Sequence, residues 1–89
     1  MTFSGRWGES MQLNEAVGQR LSELLRERGM TAYQLYKSSG VPKSSISNVL
    51  HASYDSVKLR VLHELCQGMG ISLTDFFDSP LFEEEQLEP

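Results

Sequence analysis

The chain has 89 residues and a formal net charge of −4, a length that predicts one domain with a modest core. No stretch approaches the roughly 20 consecutive apolar residues that span a bilayer, and the first ten residues lack the apolar run of a signal peptide, so we expect a cytoplasmic protein with no membrane partner. The single cysteine, Cys66, excludes an internal disulfide, and the two histidines lie too far apart in sequence to predict a metal site.

The first predicted helix follows an irregular arm, residues 1–13. Asn14 is expected to cap this helix, because a short polar side chain can accept a hydrogen bond from a free amide at a helix N-terminus. A stripe of apolar residues at helical spacing follows it: Val17, Leu21, Leu24 and Leu25. Gly29 is predicted to end the helix, since glycine adopts the left-handed conformation that helix ends favour.

Two short helices are predicted next, separated by a turn at Gly40. Thr31 and Gln34 have the spacing of a capping box at the start of the second helix. Pro42 is expected in the first turn of the third helix, where no amide hydrogen is needed. One face of the third helix is apolar, with Ile46, Val49 and Leu50. The opposite face is polar, with Lys43, Ser44, Ser47, Asn48 and His51.

Two further helices complete the predicted fold. Asp55 or Ser56 is expected to cap the fourth helix. Its apolar stripe consists of Leu59, Leu62, Leu65, Cys66 and Met69. The fifth helix begins at a capping box formed by Ser72 and Asp75, and Phe76 and Phe77 then close the core. No alternating strand pattern is present, so the fold class is all-α with five helices.

The negative charge lies mostly in the last residues, 79–89, which we expect to form a loose acidic tail. This tail holds four glutamates and no basic residue, whereas residues 15–78 hold seven basic and seven acidic side chains. The tail either solubilises the chain or imitates DNA, competing with it for the polar face of the third helix. Large apolar side chains at both ends also have two possible roles, as cover for the core or as a dimer contact. They are Phe3, Trp7, Phe77, Leu81 and Phe82.

Helices two and three together have the geometry of a helix-turn-helix. A helix that reads DNA needs an apolar anchor, here Ile46 and Val49, and hydrogen-bonding side chains on its outer face. Lysine suits guanine acceptors, asparagine suits adenine, and serine suits either. The predicted contacts to base edges are therefore Lys43, Ser44, Ser47 and Asn48.

The chain resembles the phage-repressor and Cro type of helix-turn-helix protein, the Xre family. The resemblance covers about residues 14–78 and rests on Leu35 and three segments. They are G-M-T at 29–31, S-G-V-P-K-S-S-I-S at 39–47 and L-H-E-L-C-Q-G-M-G-I-S-L-T-D-F-F at 62–77. It implies a lambda-repressor-like domain over 14–78, between the arm and the tail. It also implies that Lys43, Ser44 and Ser47, with Asn48 beside them, face the bases. The implied contacts to the DNA backbone are Thr31, Lys37, His51 and Tyr54.

The chain departs from this family at four places. Ala32 replaces a common glutamine, Tyr36 replaces a small residue, and the loop after the third helix is S-Y-D-S rather than basic. Leu25 and Leu50 stand where many relatives have an Arg–Glu pair. A buried ion pair can be exchanged for matched apolar groups without loss of stability, so we predict that Leu25 and Leu50 touch.

These observations favour a sequence-specific transcription regulator, a repressor that binds double-stranded DNA as a homodimer. The few phosphate contacts predict modest affinity for a single domain. The alternative is a protein-interaction module, antitoxin-like or regulator-binding, that grips DNA weakly or not at all; the neutral body and Ala32 favour this reading. No cluster of titratable residues points to an enzyme, and no small-molecule cofactor is expected.

Overall fold

A computed structural model of the protein describes residues 11–88, and the expectations for Phe3 and Trp7 lie outside this range. The helices are α1 (Leu13–Glu27), α2 (Ala32–Ser39), α3 (Lys43–Leu50), α4 (Leu59–Met69) and α5 (Leu73–Phe77). Two short 3-10 helices follow, Pro80–Phe82 and Glu84–Gln86. One isolated parallel bridge joins Met11 to Leu87. The all-α class with five helices is confirmed.

The core is built from all five α-helices. Helix α1 packs on α3, α2 packs on both α3 and α4, and α5 packs on α4. The largest fully buried side chains come from different helices: Leu21, Leu35, Ile46, Leu65 and Phe76. The apolar stripes predicted for α1 and α4 are buried, except that Leu59 is 76% exposed. Leu59 is the first residue of α4, one turn before the first buried position, so the stripe begins at Leu62.

Local capping chemistry determines where several helices begin and end. In the predicted box of α2, the Gln34 amide donates to Thr31 Oγ1 at 3.1 Å and the Thr31 amide donates to Gln34 Oε1 at 2.9 Å. The box at Ser72 and Asp75 is also present. Gly40 ends α2 with φ +78°, the left-handed conformation that glycine adopts without a Cβ clash.

Three predicted caps are wrong. Helix α1 begins two residues earlier, with Gln12 as its N-cap. Asn14 is instead buried within α1, and its Nδ2 donates to the Tyr54 carbonyl at 2.8 Å. Pro42 is the N-cap of α3 rather than a first-turn residue, and Lys58 precedes α4 in place of the predicted Asp55 or Ser56. Asn14 looked like a cap because its side chain suits that role, but a long-range hydrogen bond occupies it.

The expectation of a loose acidic tail is also wrong for residues 79–88. The Met11 amide donates to the Gln86 carbonyl at 3.1 Å, and the Glu88 amide donates to the Met11 carbonyl at 2.9 Å. Phe82 packs against the core and lies edge-on to Phe77, with 4.8 Å between their ring centroids. The tail therefore folds back onto α1. Its apolar side chain Phe82 packs against the core, while its glutamates stay exposed to solvent.

Leu25 is buried, and the half-buried Leu50 packs against the core cluster to which Leu25 belongs. This arrangement agrees with an apolar replacement of the relatives' ion pair, and direct contact between the two side chains stays a prediction. None of the helices between residues 11 and 88 has both the length and the apolar character needed to cross a membrane.

Candidate nucleic-acid interface

The turn between α2 and α3 is anchored by Val41, which is almost completely buried. The Val41 amide donates to Ser39 Oγ at 3.1 Å, which fixes the chain just after the left-handed Gly40. Helix α2 is held from its other side because Ser38 Oγ donates to the Gly68 carbonyl of α4 at 2.9 Å. The turn thus presents α3 from a rigid support rather than from a free loop.

Helix α3 divides into a buried side and an exposed side, as predicted. Ile46 and Val49 are buried. Lys43, Ser44 and Ser47 are exposed. Asn48 is half-buried and lines a shallow groove that continues toward Tyr54 and Val61. All four predicted base-contact residues therefore lie on α3, three of them fully available to a partner and Asn48 partly so.

Lys43 of this face contacts two aromatic side chains of α2. Its Nζ lies 5.5 Å from the ring centroid of Tyr33 and 5.7 Å from that of Tyr36, within the range of a cation–π interaction. Sequence analysis did not identify Tyr33, and it noted Tyr36 only as a departure from the family. The available signal was a pair of tyrosines three residues apart on α2, which places them side by side on one helix.

Among the predicted backbone contacts, His51 lies just past the end of α3. Its Nδ1 is 2.9 Å from the Ser47 carbonyl oxygen and 3.2 Å from Ser47 Oγ. A carbonyl oxygen can only accept, so Nδ1 carries the hydrogen and Nε2 is left as the second polar atom of the ring. This contact fixes the imidazole against the last turn of the helix.

The other predicted backbone contacts are exposed, at three separate places. Thr31 is the N-cap of α2, and its hydroxyl oxygen already accepts the Gln34 amide. Lys37 lies in the last turn of α2. Tyr54 extends into solvent from the loop after α3, while its carbonyl is held by Asn14. The amides at the N-terminus of α2 give that end a partial positive charge that suits a phosphate.

The charge of this region differs from the charge of the whole chain. The sequence between Glu27 and Asp55 contains no carboxylate side chain, and it includes Arg28, Lys37 and Lys43. Arg28 is partly engaged in a contact within the fold, since its Nε donates to the Met69 carbonyl at 3.2 Å. The helix-turn-helix is thus a locally positive segment in an acidic chain, a distinction that the net charge conceals.

No group of three or more potential metal ligands occurs among residues 11–88. Cys66 is buried in the core, and this burial raises the pKa of its thiol. A neutral, enclosed thiol is a poor nucleophile and a poor metal ligand. The exposed polar side chains of α2 and α3 are therefore the candidate binding surface.

Two short helices at a glycine turn, the second with an anchored face and an open polar face, define a helix-turn-helix DNA-binding domain. A family model described as the Cro/C1-type helix-turn-helix DNA-binding domain matches residues 20–80, well over half of the chain. The chain belongs to this family, whose members are DNA-binding transcriptional regulators.

Solved structures of one restriction-modification controller protein, C.Esp1396I, have the same fold. Its tetramer in complex with its natural 35 base-pair operator matches with a TM-score of 0.71 and 23% identity, covering 78% of this chain and 90% of that one. Its complex with a 19 base-pair DNA duplex matches with a TM-score of 0.69 and 24% identity, covering 74% and 87%. No curated protein matches the chain.

Proposed function

We propose that the protein is a sequence-specific repressor that reads the major groove with the exposed face of α3. The proposal rests on one observation: this face is open and polar, and it lies in a segment without carboxylates. The side chains proposed to contact base edges are Lys43, Ser44, Ser47 and Asn48. Lysine directed at guanine O6 and N7 and asparagine directed at adenine would supply most of the sequence preference.

Contacts to phosphates fix the register of such a protein on its operator. We propose that the N-terminus of α2 at Thr31 binds one phosphate and that Lys37, His51 and Tyr54 bind others. Few of these groups are charged, so a single subunit would bind modestly. The DNA-binding domain is proposed to span residues 14–78, with the acidic segment 79–89 beside it.

We further propose that the protein binds its operator as a homodimer. The solved controller protein is a tetramer on its operator, and a two-fold protein matches a palindromic site. Three exposed apolar side chains line one groove between α1, α4 and α5, and they are the proposed contact with a second copy: Leu13, Leu59 and Phe77. Replacing Leu59 by Glu should shift the protein to monomers in sedimentation equilibrium and leave its helical content unchanged.

No catalytic or cofactor-dependent step is part of this proposal. The regulator would act on cytoplasmic DNA through binding alone. The competing function, a protein-interaction module with weak or no DNA binding, is favoured by the net charge of −4. Arg20 also favours this function, because its Nε donates to the Phe76 carbonyl at 2.7 Å and its side chain is therefore not free to bind a phosphate.

The decisive experiment is selection of bound sequences from a random DNA library at low salt, followed by binding assays on the enriched site. The wild-type protein should select one site, and Lys43→Ala with Asn48→Ala should lose at least tenfold in affinity while the circular dichroism spectrum stays unchanged. Arg26→Ala is the matched control, because it removes one exposed positive charge from α1. Absence of any retained DNA with the wild-type protein would establish the interaction module instead.

A further inference from the structure

The ammonium of Lys43 lies close to two aromatic rings of the preceding helix. Tyr33 and Tyr36 are 6.0 Å apart between ring centroids, with their planes tilted by 53°. The ammonium of Lys43 lies within 6 Å of both centroids. We call Tyr33 and Tyr36 the tyrosine pair. Both rings present electron-rich faces, which attract a cation.

The two tyrosines differ in what else supports them. Tyr36 is half-buried and packs against the core, so its ring position is fixed by the fold. Tyr33 is 55% exposed and is not part of the core. Burial therefore does not account for the position of Tyr33, whose ring instead contacts Tyr36 and Lys43.

A lysine without such support is a poor reader of sequence. Its ammonium is a compact charge on a flexible stem with three rotatable donors, and it can reach a phosphate as readily as a base. Contact with two rings restricts the positions that the Lys43 stem can take, while the residue stays exposed on α3. A donor held in one direction discriminates between acceptors that a freely rotating donor would treat alike.

We propose that the tyrosine pair positions Lys43 so that its ammonium is delivered to a base edge, with guanine as the base that it favours. Tyr33 and Tyr36 act through Lys43 and are positioning residues. This inference rests on the proposed function, because it requires Lys43 to contact a base. It adds that the specificity at one base pair is set by residues of α2.

The test uses Tyr33, the exposed member of the pair, to avoid disturbing the core. Tyr33→Leu removes the aromatic face, and Tyr33→Phe keeps it. The base pair read by Lys43 is first located as the position whose preference disappears in Lys43→Ala. Dissociation constants are then measured for the selected site and for the three substitutions at that base pair, with unrelated DNA as the non-specific reference.

Tyr33→Leu should reduce the discrimination at that base pair by about two- to fivefold, the size expected for one exposed cation–π contact. Tyr33→Phe should retain it, and binding to unrelated DNA should stay within about twofold for both variants. In a Lys43→Ala background, Tyr33→Leu should have no further effect on discrimination. A merely structural role for Tyr33 would instead weaken binding to all sequences equally.

The nuclear magnetic resonance signal of the Lys43 ε-methylene protons gives an independent measurement without DNA. Ring currents should shift these protons upfield in the wild type and in Tyr33→Phe, and part of the shift should disappear in Tyr33→Leu. Equal shifts in the three proteins, or unchanged discrimination in Tyr33→Leu by a selective wild type, would overturn the inference alone. A wild type with no sequence preference would overturn the proposed function and the inference together.

Discussion

Gly18 of α1 lies directly against the carbonyl group of Val49 at the end of α3. A Cβ at position 18 would be 2.5 Å from the Val49 oxygen and 2.9 Å from the Leu50 oxygen. Both distances are too short for real contacts, and both neighbours are backbone atoms that cannot rotate away. The absence of a side chain at Gly18 therefore determines how closely the proposed reading helix approaches the rest of the domain.

Gly18→Ala should destabilise the protein by about 1–3 kcal/mol, the usual cost of overpacking, although alanine in a helix interior normally gains about 1 kcal/mol over glycine. Operator affinity should also fall, because α3 must move. Gln19→Ala, at the exposed neighbouring position, is the control and should change stability by less than about 0.5 kcal/mol. Urea unfolding followed by circular dichroism measures both variants, and a more stable Gly18→Ala protein would contradict the close packing.

Arg20 caps the C-terminal end of α5 through main-chain carbonyls. Its Nε donates to Phe76 O at 2.7 Å and its Nη2 donates to Asp75 O at 2.8 Å, with the side chain 13% exposed. Arg20→Met should cost about 1.5–3 kcal/mol, the range for hydrogen bonds that involve a charged group.

Arg60→Met is the matched comparison for Arg20. The Arg60 side chain is 88% exposed and lies 3.6 Å from Glu64 in a surface ion pair, so its loss should cost less than about 1 kcal/mol. Thermal unfolding of the two variants at equal ionic strength checks the difference. Equal destabilisation would mean that the carbonyl contacts of Arg20 contribute nothing beyond its charge.

Much of this fold could be predicted because its signals are local. The box at Thr31 and Gln34 and the glycine at position 40 act within one turn of helix, where residue type and spacing suffice. The positions that sequence analysis missed depend on distant partners. Asn14 is occupied by Tyr54, forty residues away, and Arg20 is occupied by Phe76, fifty-six residues away.

The polar face of α3 was predictable for the same reason, since helical periodicity alone separates Ser44 and Ser47 from Ile46. The contact of Lys43 with Tyr33 was not, because it crosses the turn between two helices and depends on their relative orientation. The acidic residues 83–88 looked unstructured by composition, yet the pairing of Met11 with Leu87 orders them. Composition describes a segment by itself and carries no information about the residues that pair with it.

The predicted contact between Leu25 and Leu50 can be tested with a double-mutant cycle. If the side chains touch, Leu25→Ala, Leu50→Ala and the double variant should show a coupling energy of at least about 0.5 kcal/mol in urea unfolding. A second cycle with Leu25→Ala and Thr74→Ala, an exposed residue of α5, should be additive. Additivity in the first cycle would place the two leucines apart and would weaken the alignment with the Arg–Glu pair of the relatives.

Cys66 should make stability depend on pH at the alkaline end. Burial raises the pKa of the Cys66 thiol in the folded protein, so the unfolded chain loses this proton first as pH increases. The contribution of the thiol to folding stability is fully present below the ordinary thiol pKa, and it declines as pH rises toward the raised pKa. Between about pH 8 and pH 10, the free energy of unfolding should therefore decrease less for Cys66→Ala than for the wild type. Parallel pH profiles for the two proteins would show that the thiol does not contribute.

Through Phe82, the acidic tail should contribute to the stability of the folded domain. Its ring packs against the core, with 6.1 Å between the ring centroids of Phe82 and Phe76. Replacing a fully buried Phe by Ala costs about 3–5 kcal/mol. Because Phe82 is only half-buried, Phe82→Ala should destabilise the protein by less, about 1–3 kcal/mol. Glu83→Gln, at the exposed next position, removes charge without removing packing and should leave stability nearly unchanged.

The same two variants distinguish imitation of DNA by the tail from its packing against the core. If the glutamates imitate DNA, Glu83→Gln should strengthen binding to the selected operator at low salt, and the gain should disappear at high salt because exposed charges are screened there. If the tail serves packing alone, Glu83→Gln should leave affinity unchanged, and Phe82→Ala should lower it only where the protein begins to unfold. Affinity measured at two salt concentrations, beside the urea midpoint of each variant, distinguishes these outcomes.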